Sequence, residues 1–186
     1  PAVMAAFAAT VKIDTFAYMP AQEFGNAYSI FISQNFGAGK AERVKQGTGK
    51  AMAVSAVFCG AVSVLVFAFA RFLMLIFVDA GESQIIAIGM QYLRIEGAFY
   101  IGIGILFLLY GYFRGVNRPG ISLVLTVISL GTRVALAYIL AAIPTIGVTG
   151  IWWAIPIGWA LADVTGFVLM RHDNEDSRKG KRRSKT

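Results

Sequence analysis

The stretch Ser33-Gln34-Asn35-Phe36-Gly37-Ala38-Gly39-Lys40-Ala41-Glu42-Arg43 separates two long apolar runs and reads as a tight turn between two helices. Gly37 and Gly39 can each take the left-handed backbone that ends a helix, and Lys40, Arg43 and Lys45 place positive charge beside the turn. On either side the chain is more apolar than a water-soluble domain. It is 57% hydrophobic and 15% charged over 186 residues, with a mean hydropathy of +0.66. Soluble domains carry about 45–50% apolar and about 25% charged residues. Residues 51–70, 97–113 and 134–162 contain no charge, and about 20 apolar residues cross a bilayer as a helix. The aliphatic richness is unlike the alternation of an outer-membrane barrel. Helices, which satisfy their own backbone groups inside lipid, are therefore the spanning element. The fold class is an all-α integral membrane protein with about five transmembrane helices.

Outward from the turn, the first helix is expected over residues 3–36, longer than one crossing requires, with Pro20 predicting a kink. A second runs from residue 40 or 41 to 69, and residues 71–78 read as a short interfacial turn of helix. Asp79 is placed to cap the next helix, with Glu82 three residues on. That third helix begins near residue 83 and reaches residue 113. Arg114-Gly115-Val116-Asn117-Arg118-Pro119-Gly120 repeats the basic-hinge pattern, and its proline suits the start of a helix over residues 119–142. After an uncharged turn containing Pro144 and Gly147, a fifth helix covers residues 149–170, bent at Pro156. This divides the chain into a bundle, residues 1–170, and a basic tail, residues 171–186, expected to be disordered. The Lys and Arg excess alternates along the connections. The positive-inside rule then places the Gly37 hinge, the Arg114 hinge and the C-terminus in the cytoplasm of a multi-pass cell (plasma or inner) membrane protein. The net charge of +7 belongs to that topology rather than to nucleic-acid binding. With no recognisable signal peptide, Pro1 as first residue and no internal repeat, the chain is expected to be part of something longer. Cys59 is the single cysteine and offers no disulfide within the chain.

Charges inside the spans are the informative set, since each costs about 2.5–3.5 kcal/mol at the bilayer centre. Glu23 lies near the middle of its helix and close to Pro20, where a carboxylate and freed carbonyls could hold Na⁺ or a proton; the alternative is a structural carboxylate bonded to a neighbouring helix. Asp14 and Lys12 lie toward the outer side, where pairing or snorkelling explains them more simply. Glu96 reads equally as a wet rim residue or a cation site, and Asp163 is buried in the fifth helix. Arg133 needs a partner, most simply Asp163 or Glu23, in a structural ion pair. Tyr18, Tyr100 and Trp159 are candidates to line a pocket for aromatic, cationic ligands, while an interfacial belt accounts for Trp152 and Trp153. The phosphate-loop reading of Gly37-Ala38-Gly39-Lys40 fails, because Ala41 and Asn35 stand where that loop needs a hydroxyl and a glycine. The lone histidine, His172, lies in the tail and no Gly-x-Gly-Asp occurs, so no enzyme chemistry, cofactor or metal site beyond a possible Na⁺ is expected.

The combination of Lys12-Ile13-Asp14 with Pro20, Ser33 to Arg43, Tyr92-Leu93-Arg94, Arg114-Gly115 and Gly147-x-x-Gly150-Ile151-Trp152 resembles the multidrug and toxic compound extrusion (MATE) family. The resemblance implies twelve helices in two six-helix lobes, of which this chain is similar to helices eight to twelve. It implies Na⁺- or H⁺-coupled antiport of small amphipathic, often cationic compounds by alternating access. The expected partners are then the bilayer and, in the same polypeptide, the N-terminal lobe and the first helix of the second lobe. One branch of the family uses a carboxylate about three turns before its arginine-glycine pair. Here that region holds Ile103, with Glu96 two turns earlier on the same face. Another branch uses a first-helix aspartate outside this stretch, so the coupling ion stays open. The alternatives are a lipid-linked sugar flippase of related architecture and a non-transporting membrane assembly subunit.

Overall fold

A computed structural model describes the backbone of residues 1–183 and the side chains through Asp173. Six helices succeed one another: α1 (Ala2–Gly37), α2 (Ala41–Leu75), α3 (Ser83–Gly97), α4 (Tyr100–Gly115), α5 (Pro119–Ala141) and α6 (Val148–Arg183), with no strand among the described residues. Four of them are long and apolar enough to cross a membrane, and α3 with α4 makes a fifth candidate span, bent by 53°.

The two basic hinges use the same device with different residues. At the first, Gly39 alone turns left-handed, with φ +67°. Gly37 stays in the last turn of α1, so only one of the two candidate glycines takes the left-handed position. The Lys40 amide then donates back to the Asn35 carbonyl at 2.9 Å, satisfying a carbonyl that the helix end would leave open. At the second hinge Asn117 takes the left-handed position, with φ 62°, the Arg118 amide donates to the Phe113 carbonyl at 2.8 Å, and Pro119 opens α5. Asparagine serves where glycine might because its short polar side chain tolerates this conformation.

Further expectations change. Residues 71–75 continue α2 instead of forming a separate interfacial turn. Asp79 accepts a bond from the Gly81 amide at 3.0 Å, making a local turn, whereas α3 begins at Ser83 after Glu82, which makes no side-chain cap bond. The third helix breaks at Ala98 and Phe99, where the Phe99 amide donates to the Glu96 carbonyl at 3.0 Å and α4 leaves at a new angle. At the far end the backbone stays helical from Met170 to Arg183, beyond the boundary expected for the tail.

The most extensive helix pairings are α1 with α4 and α5 with α6. Glycine makes the first possible: a Cβ on Gly111 would sit 2.5 Å from the Gly25 carbonyl oxygen, and one on Gly25 would sit 2.9 Å from the Phe107 oxygen. The two backbones touch, as small residues allow inside membranes. Gly104 likewise admits Cys59 and Ser55 of α2. The exterior is strongly apolar: Val57, Phe16, Leu123 and Val127 are exposed, and α5 buries only Leu125 and Ser129 among its described residues. Lipid, not water, suits such a surface.

Candidate functional site

Packing α1 against α3 and α4 brings Asp14 and Glu96 together in the bundle interior, 2% and 3% exposed respectively. Both face a cavity of about 350 Å³ that collects side chains from α1, α3, α4, α5 and α6. The Tyr100 hydroxyl donates to Asp14 Oδ1, and the Tyr92 hydroxyl stands beside both carboxyl groups. Asp14 Oδ2 and Glu96 Oε2 have no hydrogen-bond partner among the described residues. Half-buried Arg133 lines the same cavity and adds its charge to the cluster, yet no described carboxylate lies within ion-pair distance of it. Its neighbours are thus Asp14 and Glu96, not the expected Asp163 or Glu23.

The bend between α3 and α4 positions this cluster. Glu96 occupies the last turn of α3 and Tyr100 the first of α4, so one break points a carboxyl and a phenol at the same partner helix. Aromatic rings hold the surroundings. Tyr18 meets Tyr100 edge-on at 6.3 Å and tilts against Phe107 at 6.0 Å, and Trp159 closes the α6 side. Tyr92 packs edge-on against Trp152 at 4.9 Å. Trp152 is accordingly buried at 3% exposure and is no part of an interfacial belt, while Trp153 lies outside against Phe99.

Toward the second hinge the cavity shares Gln22, Phe107, Tyr110 and Thr126 with an adjoining space of about 410 Å³ that reaches Arg114. There Arg114 donates to Asn26 Oδ1 at 3.0 Å, and the Asn26 amide donates to Glu23 Oε2 at 3.3 Å. Glu23 therefore belongs to the Arg114 end, exposed, away from the buried pair. Asp163 is also separate: it is buried with Oδ1 unpartnered, near Gly102 of α4, and does not line the cavity. Lys12 lies outside, over the Phe77 ring at 6.0 Å. Of the four carboxylate candidates the fold joins two. The polar lining supplied by Gln22, Thr126 and Ser129 carried no distinguishing sequence signal, since single polar residues on apolar helices are common.

The MatE family model matches residues 1–139. The chain belongs to the MATE family. Members of this family are transporters, not enzymes. The curated relatives include two proteins of Bacillus subtilis (strain 168). The probable multidrug resistance protein YpnP is 29% identical over 91% of this chain and 38% of its own length. The probable multidrug resistance protein YoeA is 25% identical over 85% of this chain and 34% of its own length. The MATE chain thus spans little more than a third of these relatives. Solved structures share its fold. An outward-facing multidrug resistance MATE family transporter of the MOP superfamily superposes with a TM-score of 0.87 at 23% identity, over 94% of this chain and 39% of that one. A MOP superfamily transporter from Pyrococcus furiosus, described by the reverse polarity of its binding pocket, superposes with a TM-score of 0.85 at 23% identity, covering 91% and 38%. The MATE transporter ClbM in complex with Rb⁺ gives 0.82 at 22%, covering 90% and 39%.

Proposed function

We propose that this chain is the C-terminal-lobe portion of a cation-coupled antiporter that exports small amphipathic, cationic compounds, and that Asp14 and Glu96 form its coupling site. The observation that carries the reading is the buried pair itself. Two carboxyl groups facing each other in a low-dielectric interior are held most favourably by sharing a proton or by gripping a cation between them. Hard monovalent cations take oxygen ligands, and the free Asp14 and Glu96 oxygens beside the Tyr92 and Tyr100 hydroxyls form such a set. H⁺ and Na⁺ both fit it, and the Rb⁺ bound by ClbM is a precedent for a monovalent cation in the family.

The cavity chemistry favours a cationic cargo. Asp14, Glu96, Tyr18, Tyr110 and Trp159 line it against one guanidinium, Arg133, and aromatic faces with carboxylates attract organic cations. A lipid-linked sugar flippase would need a predominantly basic lining for its pyrophosphate. Alternating access requires a second bundle to rock against, supplied in this reading by an N-terminal lobe and the first helix of this lobe in the same polypeptide. The charge alternation supports a topology with the Gly37 hinge, the Arg114 hinge and the C-terminus on the cytoplasmic side of the cell membrane.

The test uses the full-length transporter in proteoliposomes loaded with a fluorescent cationic dye, under imposed Na⁺ or pH gradients. Asp14→Asn and Glu96→Gln should each sharply reduce gradient-driven efflux while leaving dye binding measurable. Gradient-dependent efflux that persists unchanged in both variants would sink the assignment.

A further inference from the structure

A second recess, of about 670 Å³, lies on the opposite side of α1 from the carboxylate cavity, between the hinge-proximal halves of α1 and α2. The two helices run antiparallel. Phe31 lies over Gly47, where an added Cβ would strike its ring, and the Tyr28 hydroxyl bonds Thr48 at 2.6 Å. Below Phe31, the pattern continues with Phe24 and Val54. On α2 the recess is lined by Arg43, Gln46 and Lys50, which recur at helical spacing and so share one face. The groove is therefore graded: basic at the hinge end, aromatic and aliphatic further in.

The dimensions come from helix geometry. From Arg43 to Val54 the rise is about 16 Å at about 1.5 Å per residue, close to one leaflet of a hydrocarbon core about 30 Å thick. Lys50 starts about two turns below Arg43, and its long stem can carry its ammonium back up toward the interface. Neither Arg43 nor Lys50 has an ion-pair partner among the described residues. The nearby acid on the same helix, Glu42, is occupied by the Gln46 amide at 3.1 Å and does not line the groove.

We propose that this groove binds one anionic phospholipid, its headgroup phosphate held by Arg43 and Lys50 and its acyl chain lying along Phe31, Phe24 and Val54. Charge complementarity selects the lipid class. A zwitterionic headgroup carries its own ammonium and gains less from two cations, whereas phosphatidylglycerol brings a net negative charge to them. The aromatic floor needs an acyl chain, so a soluble phosphate does not fill the site. The reading is independent of which ion or cargo the carboxylate cavity handles.

The experiment purifies the full-length transporter from mixed phosphatidylglycerol and phosphatidylcholine membranes and measures retained lipid by mass spectrometry after detergent washing. Phosphatidylglycerol should be retained preferentially. Arg43→Gln with Lys50→Gln should reduce that preference roughly twenty- to thirtyfold, at about fivefold per basic residue. Lys40→Gln with Lys45→Gln removes the same charge from the same hinge outside the groove and should leave the preference largely intact. Ala27 also lines the groove, so Ala27→Trp fills it without changing charge and should also displace the lipid, which keeps the test open if the double variant does not fold. A photo-crosslinking p-benzoylphenylalanine in place of Phe24 should form adducts with phospholipid. Equal retention of the two lipids, equal loss in the Lys40 and Lys45 control, or crosslinks to another segment of protein would each overturn the proposal.

Discussion

The carboxylate cavity and the hinge groove both border α1, yet their chemistry is opposite. The cavity sets Asp14 and Glu96 deep among five helices with aromatic walls, and the groove sets Arg43 and Lys50 at the rim of two helices over an apolar floor. Depth explains the difference. A long basic side chain near a helix end reaches water by extending its stem. A short carboxylate at the bundle centre has no such escape and must be met by a hydroxyl, a proton or a cation. Basic residues at the hinge thus cost little, whereas buried acids are expensive, which is why the coupling role is proposed for the acids.

The sharpest way to break this contrast is to neutralise the central pair. Asp14→Asn or Glu96→Gln should reduce ion-driven dye efflux by roughly 5- to 150-fold, the span of a typical coupling free energy, while the lipid preference of the hinge groove stays as it was. A packing change comes next. Gly111→Leu forces a side chain against the Gly25 carbonyl and should destabilise the α1–α4 contact by about 1–3 kcal/mol or more, read as a lower melting temperature in detergent. Tyr100→Phe removes the donor to Asp14 and should cost about 1.5–3 kcal/mol, the worth of a hydrogen bond to a charged group. The same melting assay reads that loss, which should be smaller in the background of Asp14→Asn. Glu23→Gln should have the smallest effect. Glu23 is exposed and bonded to Asn26, so coupled efflux should stay within about twofold of the parent, consistent with a weak exposed contact. A large loss in Glu23→Gln would move the coupling site toward Arg114.

Much of this molecule is legible in its sequence. The helix-forming runs, both hinges and the turn near Pro144 depend on local composition and on residues such as Gly39, Asn117 and Pro119, whose backbone preferences act wherever they stand. Glu23 attracts attention for a local reason too, its closeness to Pro20. The site is less legible because contact between helices is not a local property. Asp14 has the look of an outer-side residue that could simply snorkel, and the helical period cannot say which neighbour would face it. Trp152 resembles its neighbour Trp153, and only the rotation of α6 puts one ring against Tyr92 and the other outside. The break after Glu96 is equally hidden, since Gly97-Ala98-Phe99 carries no proline and lies inside an apolar run.

By itself, then, the sequence determined a helical membrane protein of the MATE family, with its hinges and the pattern of charge beside them, because apolar length, capping and backbone preference act over a few residues. Tertiary structure alone decided which buried acids meet. Tyr100 reaches Asp14 across 86 positions of chain because glycine lets α1 and α4 touch and because the bend after α3 turns Glu96 toward the same side chain. The reason is geometric: a helix fixes the angle between its own side chains, but only packing fixes the angle between helices.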